Sequence, residues 1–196
     1  MSEPIFTVAN QLTMLRMALV PVFVLLELSR ELSWALVVFV VAGLTDALDG
    51  YVARHANQST KLGAMLDPVA DKLLVGSAYV VLTWTSAVAC TMPAWLTVTL
   101  LFRDGMLVVA VVVVNLTVGP RIFPPSRLGK VSTALNVVTG AAVLAANAAG
   151  ECPAGLRWLY GATLVVLIAS TLHYIYQASE RPPHAQKRGE SGRSEA

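Results

Sequence analysis

The sequence predicts an all-α integral membrane protein with six transmembrane helices and both termini on the cytoplasmic side. Three observations lead there. Of the 196 residues, 56% are hydrophobic and only 13% charged, whereas a soluble domain is about a quarter charged, and the mean hydropathy is +0.65. Six apolar segments recur along the chain, each close to the roughly 20 residues that a helix needs to cross a bilayer. No segment shows the recurring alternation of a membrane-spanning β-strand, so helices are the structures expected to satisfy the backbone in lipid.

The segments lie near 12–29, 33–53, 68–88, 93–116, 131–150 and 155–177. The first follows a short, mildly amphipathic stretch expected to rest along the interface. Its start, "MSEPIFTVANQLTMLRM", has no basic n-region and runs on beyond signal length, so it is not read as a cleavable signal. The third segment opens at Pro68, which is expected in the first turn, where a missing N–H costs little. The fourth holds a β-branched run, "VVVVN", tolerated because burial overrides its weak helix propensity. The fifth carries "TGAAVLAANAAG", whose small residues let helices approach closely. After the sixth comes "SERPPHAQKRGESGRSEA", which is polar, bears Pro and Gly and lacks periodicity. The expected organisation is therefore a transmembrane domain over 1–178, including the interfacial segment, and a disordered cytoplasmic tail over 179–196.

Charge fixes the expected orientation. One set of loops collects Arg54, Lys61, Arg121, Arg127, Lys130 and the basic tail, while the other side has Arg30 and Arg157. The positive-inside rule places the first set in the cytoplasm. Trp34, Trp95 and Trp158 fall near the opposite helix ends, as an aromatic belt requires. A formal net charge of +2, with no basic patch, argues against nucleic acid as a partner. Cys90 and Cys152 also fall near outer helix ends, and are read as two unpaired, half-buried thiols, a disulfide being the alternative.

The chain has five aspartates, Asp46, Asp49, Asp67, Asp71 and Asp104, and none lies in the polar tail. Asp46 and Asp49 are three apart, Asp67 and Asp71 four apart. On helices each spacing puts both carboxylates on one face. The first pair closes one expected helix and the second opens the next, so the pairs are expected to face each other across a cleft. Carboxylates gathered in a low dielectric repel unless cations neutralise them. Oxygen-only donors favour two hard divalent ions, Mg²⁺ or Mn²⁺, and a two-metal clamp suits phosphoryl-type displacement. Gly50 and Gly63 leave room for a bulky ligand, and Arg54 offers a guanidinium fork for phosphate. Structural ion pairing with Arg54, Lys61 and Lys72 is the bland alternative. A divalent-cation transporter is a third, but Arg54 within the cluster would hinder a conducted cation.

The pattern Asp46-x2-Asp49-Gly50-x2-Ala53-Arg54-x8-Gly63-x3-Asp67-x3-Asp71 resembles the signature of the CDP-alcohol phosphotransferases, with no departure. The resemblance implies that family's six-helix fold, a homodimer, two Mg²⁺ or Mn²⁺ ions and a CDP-linked lipid donor such as CDP-diacylglycerol. It also implies attack by an alcohol on the lipid-side phosphoryl group, with CMP leaving. By position, Asp46, Asp49, Asp67 and Asp71 would be metal ligands, Asp71 also the general base, and Gly50, Ala53, Arg54 and Gly63 would shape the nucleotide site.

The acceptor is read from other stretches. "NQLTMLRMALVPVF" and "SRLGKVSTALNVV" resemble the glycerophospholipid branch, which comprises phosphatidylglycerophosphate synthases and the CDP-alcohol type of cardiolipin synthase. Helix capping by Asn10 and Thr13 is the bland reading of the first. Arg103-Asp104, deep in an apolar run, is expected to face the protein interior and an acceptor pocket, with Arg127 and Lys130 as further acceptor-binding candidates. Phosphatidylglycerophosphate synthases generally show Arg-Glu there and a second arginine eight residues later, where this chain has Val111. The expected acceptor is thus phosphatidylglycerol, a phosphodiester monoanion. Glycerol-3-phosphate, a dianion apt for two arginines, is the alternative. The expected setting is a bacterial inner membrane, with the site at the cytoplasmic face.

Overall fold

A computed structural model describes the backbone of residues 8–56, 61–85, 88–118 and 127–180, and the side chains of 14–45, 72–85, 88–109 and 128–176. The described residues form six helices: α1 (Val8–Leu28), α2 (Leu32–Ala56), α3 (Lys61–Trp84), α4 (Ala94–Val118), α5 (Arg127–Ala149) and α6 (Leu156–Glu180). No strand occurs among them. Their number and order follow the apolar segments. Residues 1–7 and the tail beyond Glu180 lie outside the described residues, and with them most of the expected interfacial segment and disordered tail.

The largest displacement is at α3, which begins at Lys61 rather than near 68. Hydropathy marks the apolar part of a helix, whereas backbone hydrogen bonding carries the helix through polar residues until something breaks it. Pro68 consequently lies inside α3, not in its first turn. Asn10 and Thr13 lie inside α1, which begins at Val8, so neither is its N-cap.

α1 packs against α2 and α3, α5 against α2, α3 and α6, and α4 against α3 and α6. The phenyl rings of Phe23 and Phe39 meet at a centroid distance of 5.8 Å where α1 crosses α2, within the range of favourable aromatic pairs. Gly140 makes the α5 approach possible. A Cβ there would lie 3.3 Å from Phe39 Cζ and 3.6 Å from Tyr79 Cε2. Hydroxyl pairs join neighbouring helices, Thr83 with Thr97 at 2.6 Å and Thr139 with Thr163 at 2.7 Å, as small polar residues do where lipid offers no partner.

The surface is apolar where a soluble protein would be polar. Leu25, Leu44, Phe102, Trp158, Val165 and Leu172 are exposed, while Arg16, Glu27, Arg103, Asn136 and Asn147 are buried. This inverted distribution suits a protein whose outer solvent is lipid. Leu128–Ala149 and Leu156–Tyr176 are each long and apolar enough to cross a membrane.

The α1–α2 and α5–α6 connections are tightly closed. Arg30, at φ 64°, and Gly150, at φ 74°, occupy the left-handed position that ends a helix. Glu31 N–H donates to Leu26 O and Glu151 N–H to Ala146 O, which completes a Schellman cap in each case. Gly meets this conformation without steric penalty, whereas Arg30 adopts it despite its Cβ.

The expectation of unpaired thiols is overturned. Cys90 and Cys152 form a disulfide, with Cα atoms 5.3 Å apart across a sequence separation of 62. Residues distant in the chain are brought together because the α3–α4 connection and the α5–α6 turn meet at one end of the bundle. Asn147 Oδ1 accepts from Cys90 N–H at 2.7 Å beside it. Trp84, Trp95 and Trp158 flank those two connections, and Trp34 follows the α1–α2 turn; all four are exposed.

Candidate functional site

The acidic signature lies on two helices that both pack against α1. α2 runs unbroken to Ala56, so Asp46, Asp49, Gly50, Ala53 and Arg54 share one helix. α3 carries Gly63, Asp67 and Asp71. With 3.6 residues per turn, the backbone registers each aspartate pair on one helix face. Only residues 57–60 separate the two helices in the chain. The side chains of these residues, and those of Val111 and Arg127, lie outside the described residues. An all-oxygen set of this composition fits a hard divalent ion rather than zinc.

One residue beyond Asp71 the side chains are described, and there a charged cluster begins. Lys72 Nζ lies 2.7 Å from Asp104 Oδ1. Arg103 Nη1 donates to the same oxygen at 2.9 Å, and its Nη2 donates to Ser170 Oγ at 3.0 Å. Three helices thus converge: α3 supplies the ammonium, α4 the guanidinium and carboxylate, and α6 the hydroxyl that anchors the guanidinium. Arg103 is only 6% exposed, whereas the side chains of Lys72 and Asp104 are 30% and 20% exposed. The arginine forms the floor of the cluster, and the ion pair sits nearer its mouth.

Lys72, Arg103 and Asp104 line a small, partly open cleft with Val75, Leu100, Thr133 and Asn136, a cavity of about 10 Å³ that has room for a single water as the side chains stand. Its walls hold unspent hydrogen-bonding groups. Arg103 Nε and Asn136 Oδ1 are buried without a partner among the described residues, as is Ser132 Oγ one turn before Asn136. Buried polar atoms are normally paired. An unpaired donor and an unpaired acceptor beside one cleft are groups that a water, or a polar group reaching in, would satisfy. The backbone at Asn136 is tied to α3, because the Tyr79 hydroxyl donates to the Asn136 main-chain carbonyl at 3.0 Å.

Sequence reasoning placed Arg103 and Asp104 at an interior pocket, and the structure brings both there. Lys72, one of the cations named in the ion-pairing alternative, turns its ammonium onto Asp104 of α4. Lys130 is exposed on the fourth residue of α5 and does not line the pocket. Asn136 and Ser170 were missed. The available signal was an amide and a hydroxyl inside apolar helices, where each polar group needs a partner.

Comparison with known proteins agrees with the signature. The family model described as CDP-alcohol phosphatidyltransferase matches residues 6–175. A human protein named cardiolipin synthase (CMP-forming) is 36% identical over 189 residues, covering 86% of this chain and 62% of the relative. A Streptomyces coelicolor protein of the same name is 39% identical, covering 67% of this chain and 62% of the relative. A Mycobacterium tuberculosis protein named probable phosphatidylglycerophosphate synthase is 37% identical, covering 68% and 64%. The chain therefore spans less than two thirds of the length of each of these relatives.

Proposed function

The chain belongs to the CDP-alcohol phosphatidyltransferase family, and we propose that it transfers the phosphatidyl group of CDP-diacylglycerol to phosphatidylglycerol, forming cardiolipin and releasing CMP. The observation that supports this reading is the Lys72–Asp104–Arg103 cluster, two cations on one carboxylate, which begins one residue from the acidic signature. The donor would be held along α2 and α3, with Gly50, Ala53 and Gly63 admitting the nucleotide and Arg54 meeting its phosphate. The acceptor's phosphodiester would lie beside Lys72 and Arg103, with its free glycerol hydroxyl presented to Asp71, the neighbour of Lys72 in the chain.

The bookkeeping of the reaction is simple. The acceptor hydroxyl oxygen forms a bond to the lipid-side phosphorus, the P–O bond to the cytidylyl phosphate breaks, and CMP carries away the electron pair. Asp71 accepts the hydroxyl proton. Two Mg²⁺ or Mn²⁺ ions, bound by Asp46, Asp49, Asp67 and Asp71, would neutralise the diphosphate and the departing charge. The protein's own contribution is to orient the two lipids and to keep the reacting centre in a fixed electrostatic environment.

The membrane setting belongs to the same proposal: six spans, the acidic ends of α2 and α3 at the cytoplasmic face of a bacterial inner membrane, and a homodimer. Glycerol-3-phosphate is the second reading, favoured by the Mycobacterium tuberculosis relative's name. The deciding experiment gives the purified protein CDP-diacylglycerol and Mg²⁺, with radiolabelled phosphatidylglycerol or glycerol-3-phosphate in parallel. Labelled cardiolipin with equimolar CMP is expected. Label incorporated from glycerol-3-phosphate alone establishes the second reading, and no product from either acceptor overturns both.

A further inference from the structure

We propose that Asp104 sets the net charge of the acceptor pocket and thereby selects a phosphodiester headgroup over a phosphomonoester; the inference rests on the transferase reading above. Two cations, Lys72 and Arg103, share a single carboxylate oxygen, Asp104 Oδ1. The remaining described lining residues, Val75, Leu100, Thr133 and Asn136, are uncharged. Among the described residues the cluster therefore keeps one net positive charge. A phosphodiester brings one negative charge and balances it. A phosphomonoester brings close to two at neutral pH, and the second is left facing the Asp104 carboxylate.

The unspent groups match a glycerol phosphate ester in other respects. An ammonium has three donors, so Lys72 retains donors beyond the one given to Asp104. Among the described residues Arg103 Nε–H has no partner and Asn136 Oδ1 has no donor. Phosphoryl oxygens would satisfy the first two, and a headgroup hydroxyl the third. Both acceptor types offer these contacts, so hydrogen bonding alone cannot separate them. Charge can, and Asp104 discriminates by repulsion, as specific sites often do. The same carboxylate bridges the two cations and offsets one of their two charges in an apolar setting.

The test measures kcat/KM for phosphatidylglycerol and for glycerol-3-phosphate in wild type, Asp104→Asn, Asp104→Glu and Thr133→Asp, all as full-length protein with CDP-diacylglycerol and Mg²⁺. Asp104→Asn is expected to raise the glycerol-3-phosphate to phosphatidylglycerol ratio by about tenfold. Asp104→Glu, which keeps the charge, should leave the ratio near wild type. Thr133→Asp, which adds a charge to the wall, should move it the other way. If turnover of Asp104→Asn is too slow, calorimetric affinities for glycerol-3-phosphate and glycerophosphoglycerol supply the same ratio. Activity falling equally on both acceptors, or an unmoved affinity ratio, makes Asp104 a structural residue and overturns the proposal. The wild-type product alone tests the transferase reading, so the two failures are distinct.

Discussion

Lys72 and Asp104 are joined by a 2.7 Å ion pair that ties the residue following Asp71 to the interior of α4. The contact fixes the register of α3 against α4 at the point where the acidic signature ends. It also keeps the lysine inside the bundle rather than stretched to the headgroups, an option its flexible stem allows. Lys72→Met keeps much of the apolar stem and removes the charge. If the ammonium meets the acceptor phosphate, the variant raises the acceptor KM by about tenfold or more with a smaller fall in kcat. Steady-state kinetics with varied phosphatidylglycerol checks this. An unchanged KM in a folded variant means that Lys72 only pins α3 to α4.

Asp71 carries the heaviest chemical assignment, that of both ligand and base. Asp71→Asn preserves shape and one oxygen donor but cannot accept the proton. Turnover should fall by about 10²–10⁴-fold, while Mn²⁺ binding, followed by calorimetry, weakens without vanishing. Release of CMP at near the wild-type rate would remove the base assignment and leave Asp71 as a metal ligand only.

How far the sequence could be read depended on whether the signal was local. The helix count came from hydropathy, and the i,i+3 and i,i+4 spacings of the aspartates from the helical period, because both are carried by neighbouring residues. The start of α3 was less legible, since polar Lys61 and Asp67 continue a helix that hydropathy would begin near Pro68. Contacts between distant residues were the least legible. Nothing local to Lys72 names Asp104 as its partner, nor Arg103 that of Ser170. The disulfide reading was wrong for the same reason: two cysteines separated by 62 positions reveal no proximity until the helix ends are placed together.

Gly140 is a packing requirement rather than a conformational one. It sits mid-helix in α5, where a side chain would meet the Phe39 ring at 3.3 Å and the Tyr79 ring at 3.6 Å. Ordinary helix propensity favours replacing glycine by about 0.8–1 kcal/mol for alanine and by only a few tenths for valine. Gly140→Val should nonetheless destabilise the fold by about 1–3 kcal/mol, because the added methyls must push two buried rings aside. Thermal unfolding in detergent measures the change. A variant as stable as wild type would show that α2 and α3 can move apart from α5 at little cost.

The Cys90–Cys152 bond joins the α3–α4 connection to the α5–α6 turn, and those elements carry the pocket residues Lys72, Arg103, Asp104 and Asn136. A cross-link over a separation of 62 residues removes considerable freedom from the unfolded chain, worth about 2–4 kcal/mol. Disulfides persist in oxidising compartments, so this end is expected to face away from the cytoplasm, opposite to the proposed reaction site. The Cys90→Ser, Cys152→Ser double variant should therefore melt several degrees lower than wild type in detergent. In intact spheroplasts, a membrane-impermeant maleimide should label wild type only after treatment with an impermeant reductant. Labelling without reduction would mean that the bond is not formed in the cell. Thiols that become reactive only after the membrane is breached would place this end in the cytoplasm, and the proposed orientation would then be inverted.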